Sequence, residues 1–401
     1  MKIKCLPEDF RVEETTALQP AHGPTALYQL RKESLGTLEA IRAIAERWKI
    51  PESQFSFGGL KDRHASTSQW ISIDNGPRRN LSQSHLSLEY AGQIDRPFCS
   101  DDIRSNRFHL VIRDLSESDA RQLVENLAGA EREGVPNYFD RQRFGSRGRS
   151  GEFTACPWCQ GDFERALWLA LAEPNRHDRP GQRIDKQSLR HHWGDWGLCH
   201  ELIHDPPVRR ILEFLVHNPR DFRRAFAMID VRIRRLYLAA FQSWVWNELL
   251  ASCLKDACDP AALMTIDVEG QLLPFLLPQQ AHTIAAAARP GALPLPSARL
   301  HLSEHDPLLA PLQSILQPYK LSLREMRVKY PRDSFFSKGD RAAFFHPADC
   351  SEQSDEDELH ASRRKLTLNF DLPPGAYATM LLKALTVWCD ESLADNEDAT
   401  Q

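Results

Sequence analysis

Strand-like runs occur near both ends of this chain and vanish from its middle, which points to a β-containing unit interrupted by a largely helical one. WISI (70–73) and FHLVIRDL (108–115) are rich in β-branched and aromatic residues and predict strands. RRKLTLNFDLPPG (363–375) predicts another strand, ended by a Pro-Pro-Gly turn. From Thr37 to Ile50, Leu38, Ile41, Ala45 and Trp48 recur at helical spacing and predict an amphipathic helix with Thr37 as its N-cap. Ser118 and Asp119 open a second helix, with Ala120, Leu123, Val124 and Leu127 inward. From about residue 174 to 235 the chain is Arg- and His-rich and helical in period. A further helix over about 234–254 turns Leu238, Phe241, Val245 and Leu249 inward. The Pro-, Ala- and Leu-rich stretch that follows, with PGALPLP (290–296), predicts packed loops and short elements. The acidic run CSEQSDEDEL (350–359) predicts a mobile loop between two strands. A last helix has Ala378, Leu381, Leu385 and Trp388 on one face.

The 401 residues suit two domains, α+β at both ends with a helical insert. The opening MKIKCLPEDF is charged and lacks an apolar core, and no uncharged apolar run approaches the ~18 residues that span a bilayer. These features set the expectation of a cytoplasmic protein without membrane association. Nine scattered cysteines, an odd number, read as reduced thiols rather than a disulfide framework. The net charge of −5 argues against nucleic acid, but it hides a local bias. Arg141, Arg143, Arg147 and Arg149 share one loop, and eight more arginines lie between Arg209 and Arg235. A phosphate backbone responds to such local faces; the bland alternative is a set of solvated helix faces.

Two segments suggest chemistry. In GGLKDRHASTSQW (58–70) Asp62 stands between Lys61 and Arg63, and neighbouring cations keep a carboxylate ionised for nucleophilic or basic work. A surface turn with a local ion pair is the alternative. In NYFDRQRFG (137–145) aromatic rings alternate with guanidinium groups, as unstacked bases require, although a core Phe beside surface arginines has the same pattern. HELIH (200–204) matches a zinc-binding H-E-x-x-H, but Asp205-Pro206-Pro207 ends any helix at once. CPWC (156–159) resembles a redox or zinc pair, with Cys199 and His200 as further candidate ligands; two free thiols in a loop are the simpler reading.

Four ordered segments make the chain resemble the TruD family of pseudouridine synthases. GGLKDRHASTSQW resembles the signature G-x-K-D-x-x-A-x-T-x-Q, with Gly59, Lys61, Asp62, Ala65, Thr67 and Gln69 in register. NYFDRQRFG resembles N-Y-F-G-x-Q-R-F-G, departing at Asp140, where a Gly-to-Asp change can alter the loop backbone. KCLPEDFRVEE (4–14) and LPPGAYATMLLKAL (372–385) are similar to the family's terminal segments.

The resemblance implies an α+β catalytic domain on a mixed, mainly antiparallel sheet flanked by helices, formed by 1–173 and 330–401 and interrupted by an α/β insertion domain at 174–329. It implies that a uridine in RNA is isomerised to pseudouridine without metal or cofactor, with Asp62 as the catalytic carboxylate. It places Phe10, Asn137 and Tyr377 at the target uridine, Phe139 as a stacking ring and Lys4 as a counterion near Asp62. Arg141, Arg143 and Arg147 are expected on the RNA backbone. The family implies tRNA as the partner, uridine 13 of the D arm as the target, and a monomer with no obligatory protein partner.

Overall fold

The computed structural model describes residues 1–61, 66–276 and 290–387. The chain divides into two compact units. One takes Met1–Val135 and the C-terminal segment from Phe344; the other takes Pro136–Leu276 and the segment ending at Ala343.

The first unit is built on a ten-stranded sheet. In chain order its first eight strands are β1 (Lys2–Ile3), β2 (Phe10–Thr16), β3 (Thr25–Glu33), β4 (Phe55–Phe57), β5 (Ser66–Asp74), β6 (Leu81–Gln83), β7 (Leu86–Ile94) and β8 (Ile103–Leu115). Across the sheet the order is Ala348–Glu356, Arg364–Leu372, β8, β2, β5, β3, β7 and β6, with β1 beside β8 and β4 beside β5. Only the β2–β5 pair is parallel among those described, with Val12 opposite Thr67; the others run antiparallel. Helix α1 (Thr37–Trp48) covers one face, packing Ala40, Ile41 and Ile44 against Tyr28, Leu30, Ile71 and Ile73. Helix α2 (Glu117–Glu133) starts at a capping box in which Ser116 and Asp119 exchange hydrogen bonds. It ends at Gly134, whose φ of +75° favours glycine.

Three expectations shift by small, physical amounts. Gly36, not Thr37, is the N-cap of α1, and Leu38 is exposed while Ile44 takes the inward place. Thr37 is free for a different task described below. The acidic run is mostly a strand, Ala348–Glu356, paired with Arg364–Leu372. It is an edge strand with almost every side chain exposed, and carboxylates on an edge oppose pairing with another chain.

The second unit is mainly helical. Its helices are α3 (Ala155–Gln160), α4 (Phe163–Leu171), α5 (Pro180–His192), α6 (Trp196–Leu202), α7 (Pro206–His217), α8 (Phe222–Ala227), α9 (Val231–Ala257) and α10 (Leu309–Leu316). It begins earlier and ends later than the expected insert at 174–329. The reason is aromatic packing, since Trp158 of α3 lies 4.8 Å from the Phe226 ring of α8 and Phe163 of α4 lies 6.3 Å from it. Helix α9 is buried on several sides, beyond Leu238, Phe241, Val245 and Leu249. Its buried amides strap loops to it: Gln242 donates to the Pro296 and Ser337 carbonyls, and Asn247 bonds both backbone groups of Phe139. The stretch after α9 carries a hairpin of Leu263–Val268 and Gln271–Leu276, and Ala292–Pro294 pairs with Asp340–Ala342.

Candidate active site

The first unit holds the segment from Lys4 to Glu14. Residues 10–14 of β2 alternate, so Phe10, Val12 and Glu14 share the buried face. The Phe10 ring meets Phe108 edge-on at 6.1 Å, and the Lys4 ammonium lies 4.4 Å from its centroid. Lys4 has a left-handed backbone, φ +57°. That turn is anchored from behind by Asp9, which accepts from the Leu6 N–H and pairs with the buried Arg113 at 2.8 Å. Arg113 also meets Asp357 at 3.1 Å, and Asp357 accepts from the Asp114 N–H and the His360 ring.

Asp62 lies outside the described residues, and its approach is tightly fastened. The Lys61 N–H donates to Thr37 Oγ1 at 2.9 Å, and that hydroxyl donates to Gln69 Oε1 at 2.8 Å. Gln69 in turn donates to the Gly59 carbonyl. The Lys61 ammonium pairs with buried Glu14 at 2.9 Å and bonds Asn106 Oδ1. Buried Lys32 directs its ammonium at the carbonyls of Leu35, 2.7 Å, and Lys61, 3.4 Å. Two lysines therefore lie beside the strand opening that leads to position 62. Sequence reasoning did not identify Glu14, Lys32, Thr37 or Asn106. The alternation of β2 was the available signal for Glu14; its partner is 47 residues away and has none.

Tyr377 belongs to the same unit, half-buried just before the helix Ala378–Val387, where its carbonyl accepts from the Met380 N–H. Gly375 turns the chain there with φ +82°.

The second unit holds the other segment. Asn137 is buried: its amide donates to the Ala342 carbonyl at 3.0 Å and accepts from Arg341 at 2.7 Å. Phe139 is only 7% exposed, with the Arg341 guanidinium 4.0 Å from its centroid and Trp246 edge-on at 5.6 Å. Asp140 adopts extended backbone, φ −95°, and its carboxylate accepts from the Arg141 N–H. The departure from glycine therefore needs no left-handed conformation here. Arg141 pairs with Glu269 at 2.8 Å, and Arg143 donates to Ser243 at 3.0 Å. Arg147 donates to the Gly151 and Glu269 carbonyls and lies 4.1 Å from the Trp244 centroid. Burial pulls its pKa down.

Neither metal-like motif belongs to a group of three or more candidate ligands among the described residues. Helix α6 ends at Leu202 with Ile203 as an extended C-cap, so His204 is not on the helical face of His200 and instead meets Asp185 at 3.1 Å. Cys156 and Cys159 sit on helix α3 rather than in a loop, and burial pushes the Cys159 thiol up to about 12. Burial also pushes Cys199 up to about 11. Among the described residues no three His, Cys, Asp or Glu side chains are grouped to hold a metal, and no helix is long and apolar enough to cross a membrane.

A sequence model described as "tRNA pseudouridine synthase D (TruD)" matches residues 1–385. The chain belongs to the tRNA pseudouridine synthase D family. Membership makes it a pseudouridine synthase, an enzyme of the isomerase class. Relatives named for tRNA pseudouridine synthase D include one from Methanocaldococcus jannaschii, 29% identical, covering 96% of this chain and 91% of that protein. Another, from Methanococcus maripaludis, is 27% identical and covers 96% and 98%. A crystal structure from Methanosarcina mazei under the same family name has TM-score 0.68 at 21% identity, covering 96% of this chain and 92% of that one. That likeness is one of fold, and it matches the expected α+β architecture with a mainly antiparallel sheet.

Proposed function

We propose that this synthase acts on tRNA, converting uridine 13 of the D arm to pseudouridine, with Asp62 as its reacting carboxylate. The observation that carries the reading is the family match from residue 1 to 385, which takes in every motif segment without interruption. In the reaction C1′–N1 breaks, the freed uracil turns, C1′–C5 forms, and the proton leaving C5 is balanced by one gained at N1. Asp62 either adds to the sugar or removes a sugar proton, and both routes return it ionised.

Phe10, with Lys4 over its ring, and Tyr377 serve the target nucleotide from the first unit. Extruding that nucleotide costs a few kcal/mol, roughly, and aromatic contacts offset it. Asn137 spends one N–H and one lone pair inside the fold, and a carboxamide has two of each, so it retains one of each for a uracil edge. Phe139, the expected stacking ring, is held in that segment by Arg341 and Trp246, and Arg141, Arg143 and Arg147 are assigned to the backbone phosphates. We assign the family's insertion to residues 174–329, the protein to the cytoplasm and the active form to a monomer.

The test uses a tRNA transcript tritiated at uracil C5, because forming the new C–C bond releases that tritium to water. The expected result is stoichiometric release, mapped to position 13 by carbodiimide-dependent primer-extension stops. Absence of release from every tRNA offered, with release from another RNA, would overturn the substrate assignment.

A further inference from the structure

Phe335 is the exception among the ring–guanidinium pairs of the second unit. The Phe139 ring is 7% exposed beneath Arg341 at 4.0 Å, and Arg147 sits 4.1 Å from the Trp244 centroid. Those distances are close stacking, in which the cation occupies the ring. Phe335 is instead 53% exposed, with the guanidinium carbons of Arg235 and Arg299 at 5.8 and 5.6 Å from its centroid. The three come from separate stretches of chain, α9, the loop after Ala292–Pro294, and the segment after Tyr330.

Charge sharpens the contrast. Among the described residues neither Arg235 nor Arg299 has a carboxylate within ion-pair distance. The nearby acid, Asp333, is already taken by buried Arg234 at 2.8 and 2.9 Å, and the bonds from Arg234 hold its carboxyl below the usual range. Arg235 makes only a long contact, 3.5 Å, to the Asp333 carbonyl. The result is an accessible aromatic surface with two uncompensated positive charges beside it. A single exposed apolar side chain needs no explanation; one flanked by two such arginines fits an unstacked base whose phosphates the guanidinium groups meet.

We propose that Phe335, Arg235 and Arg299 form an RNA contact in the second unit, the ring stacking on an unpaired base of the substrate and the arginines pairing with its backbone. The inference rests on the reading of tRNA as substrate, and it adds a contact by residues other than those assigned to the target uridine.

Fluorescence anisotropy with a labelled tRNA transcript, paired with single-turnover modification, tests both. Phe335→Ala should weaken binding about tenfold, and Phe335→Trp should restore it. The rate at saturating enzyme should stay at the wild-type value, since the contact holds RNA and does no chemistry. Arg235→Gln with Arg299→Gln should reduce the slope of log affinity against log salt by about 2. Wild-type activity together with unchanged affinity in Phe335→Ala overturns this contact alone. A melting temperature that falls with affinity in Phe335→Ala makes the ring structural and also overturns it. A wild-type protein that neither binds nor modifies the tRNA removes both readings.

Discussion

Arg113 and Arg147 are both drawn into the protein, one in each compact unit, and they are held by opposite means. Arg113 meets three carboxylates, those of Asp9, Asp357 and Glu358, and its bonds to Asp9 push its pKa further up. Arg147 donates to two carbonyls and lies over the rings of Trp244 and Phe153; burial pulls its pKa down. The segment bearing Lys4 and Phe10 is thus ordered through Arg113 by titratable partners, whereas Arg147 is held by neutral ones. Acid should therefore loosen the contacts of Arg113 and leave those of Arg147 alone.

The largest effect that tests this contrast is Arg113→Met. It strands two buried carboxylates, Asp9 and Asp357, and should cost about 3–5 kcal/mol in denaturant unfolding. A loss comparable to that of a surface substitution would show that the pairs contribute nothing.

The pH dependence comes next. Burial raises the Asp357 carboxyl, but the Asp114 and Leu359 N–H groups, His360 and Arg113 outweigh it and hold the pKa at about 2. A carboxyl depressed on folding stabilises fully above its unfolded pKa and loses that contribution as pH falls through the folded value. The contribution, on the order of 2 kcal/mol, should be complete near about pH 5 and disappear toward about pH 2. The deficit of Arg113→Met should shrink over the same window, and a deficit independent of pH would break the comparison.

Arg147→Gln should cost less, about 1–2 kcal/mol, because it leaves the Gly151 and Glu269 carbonyls without their donor. That cost should not change across the same pH window. Smallest of all, Phe335→Ala should alter stability by no more than about 0.5 kcal/mol, as its ring is exposed.

What the sequence made legible follows the range of the interactions. The strand at 108–115 and the helix carrying Ala120, Leu123 and Leu127 were readable because period and propensity agree locally. The acidic strand Ala348–Glu356 was not, because it gains its partner only from Arg364–Leu372 and its charges imitate a loop. Leu38 was placed inward because it and Ile44 lie on neighbouring flanks of one helix, and only the packing chooses between them. The motif segments themselves stood out, but their anchoring did not. Arg341 covers the Phe139 ring from some 200 residues away, and Glu14 meets Lys61 across β2 and the approach to β5. Tertiary partners of this kind leave no local pattern.

The account depends on one carboxylate, and Asp62→Asn addresses it most directly. Single-turnover conversion of the tRNA should fall to background in this variant, while anisotropy shows the same tRNA affinity as the wild type and unfolding shows the same stability. Wild-type conversion by Asp62→Asn would contradict the assignment of Asp62.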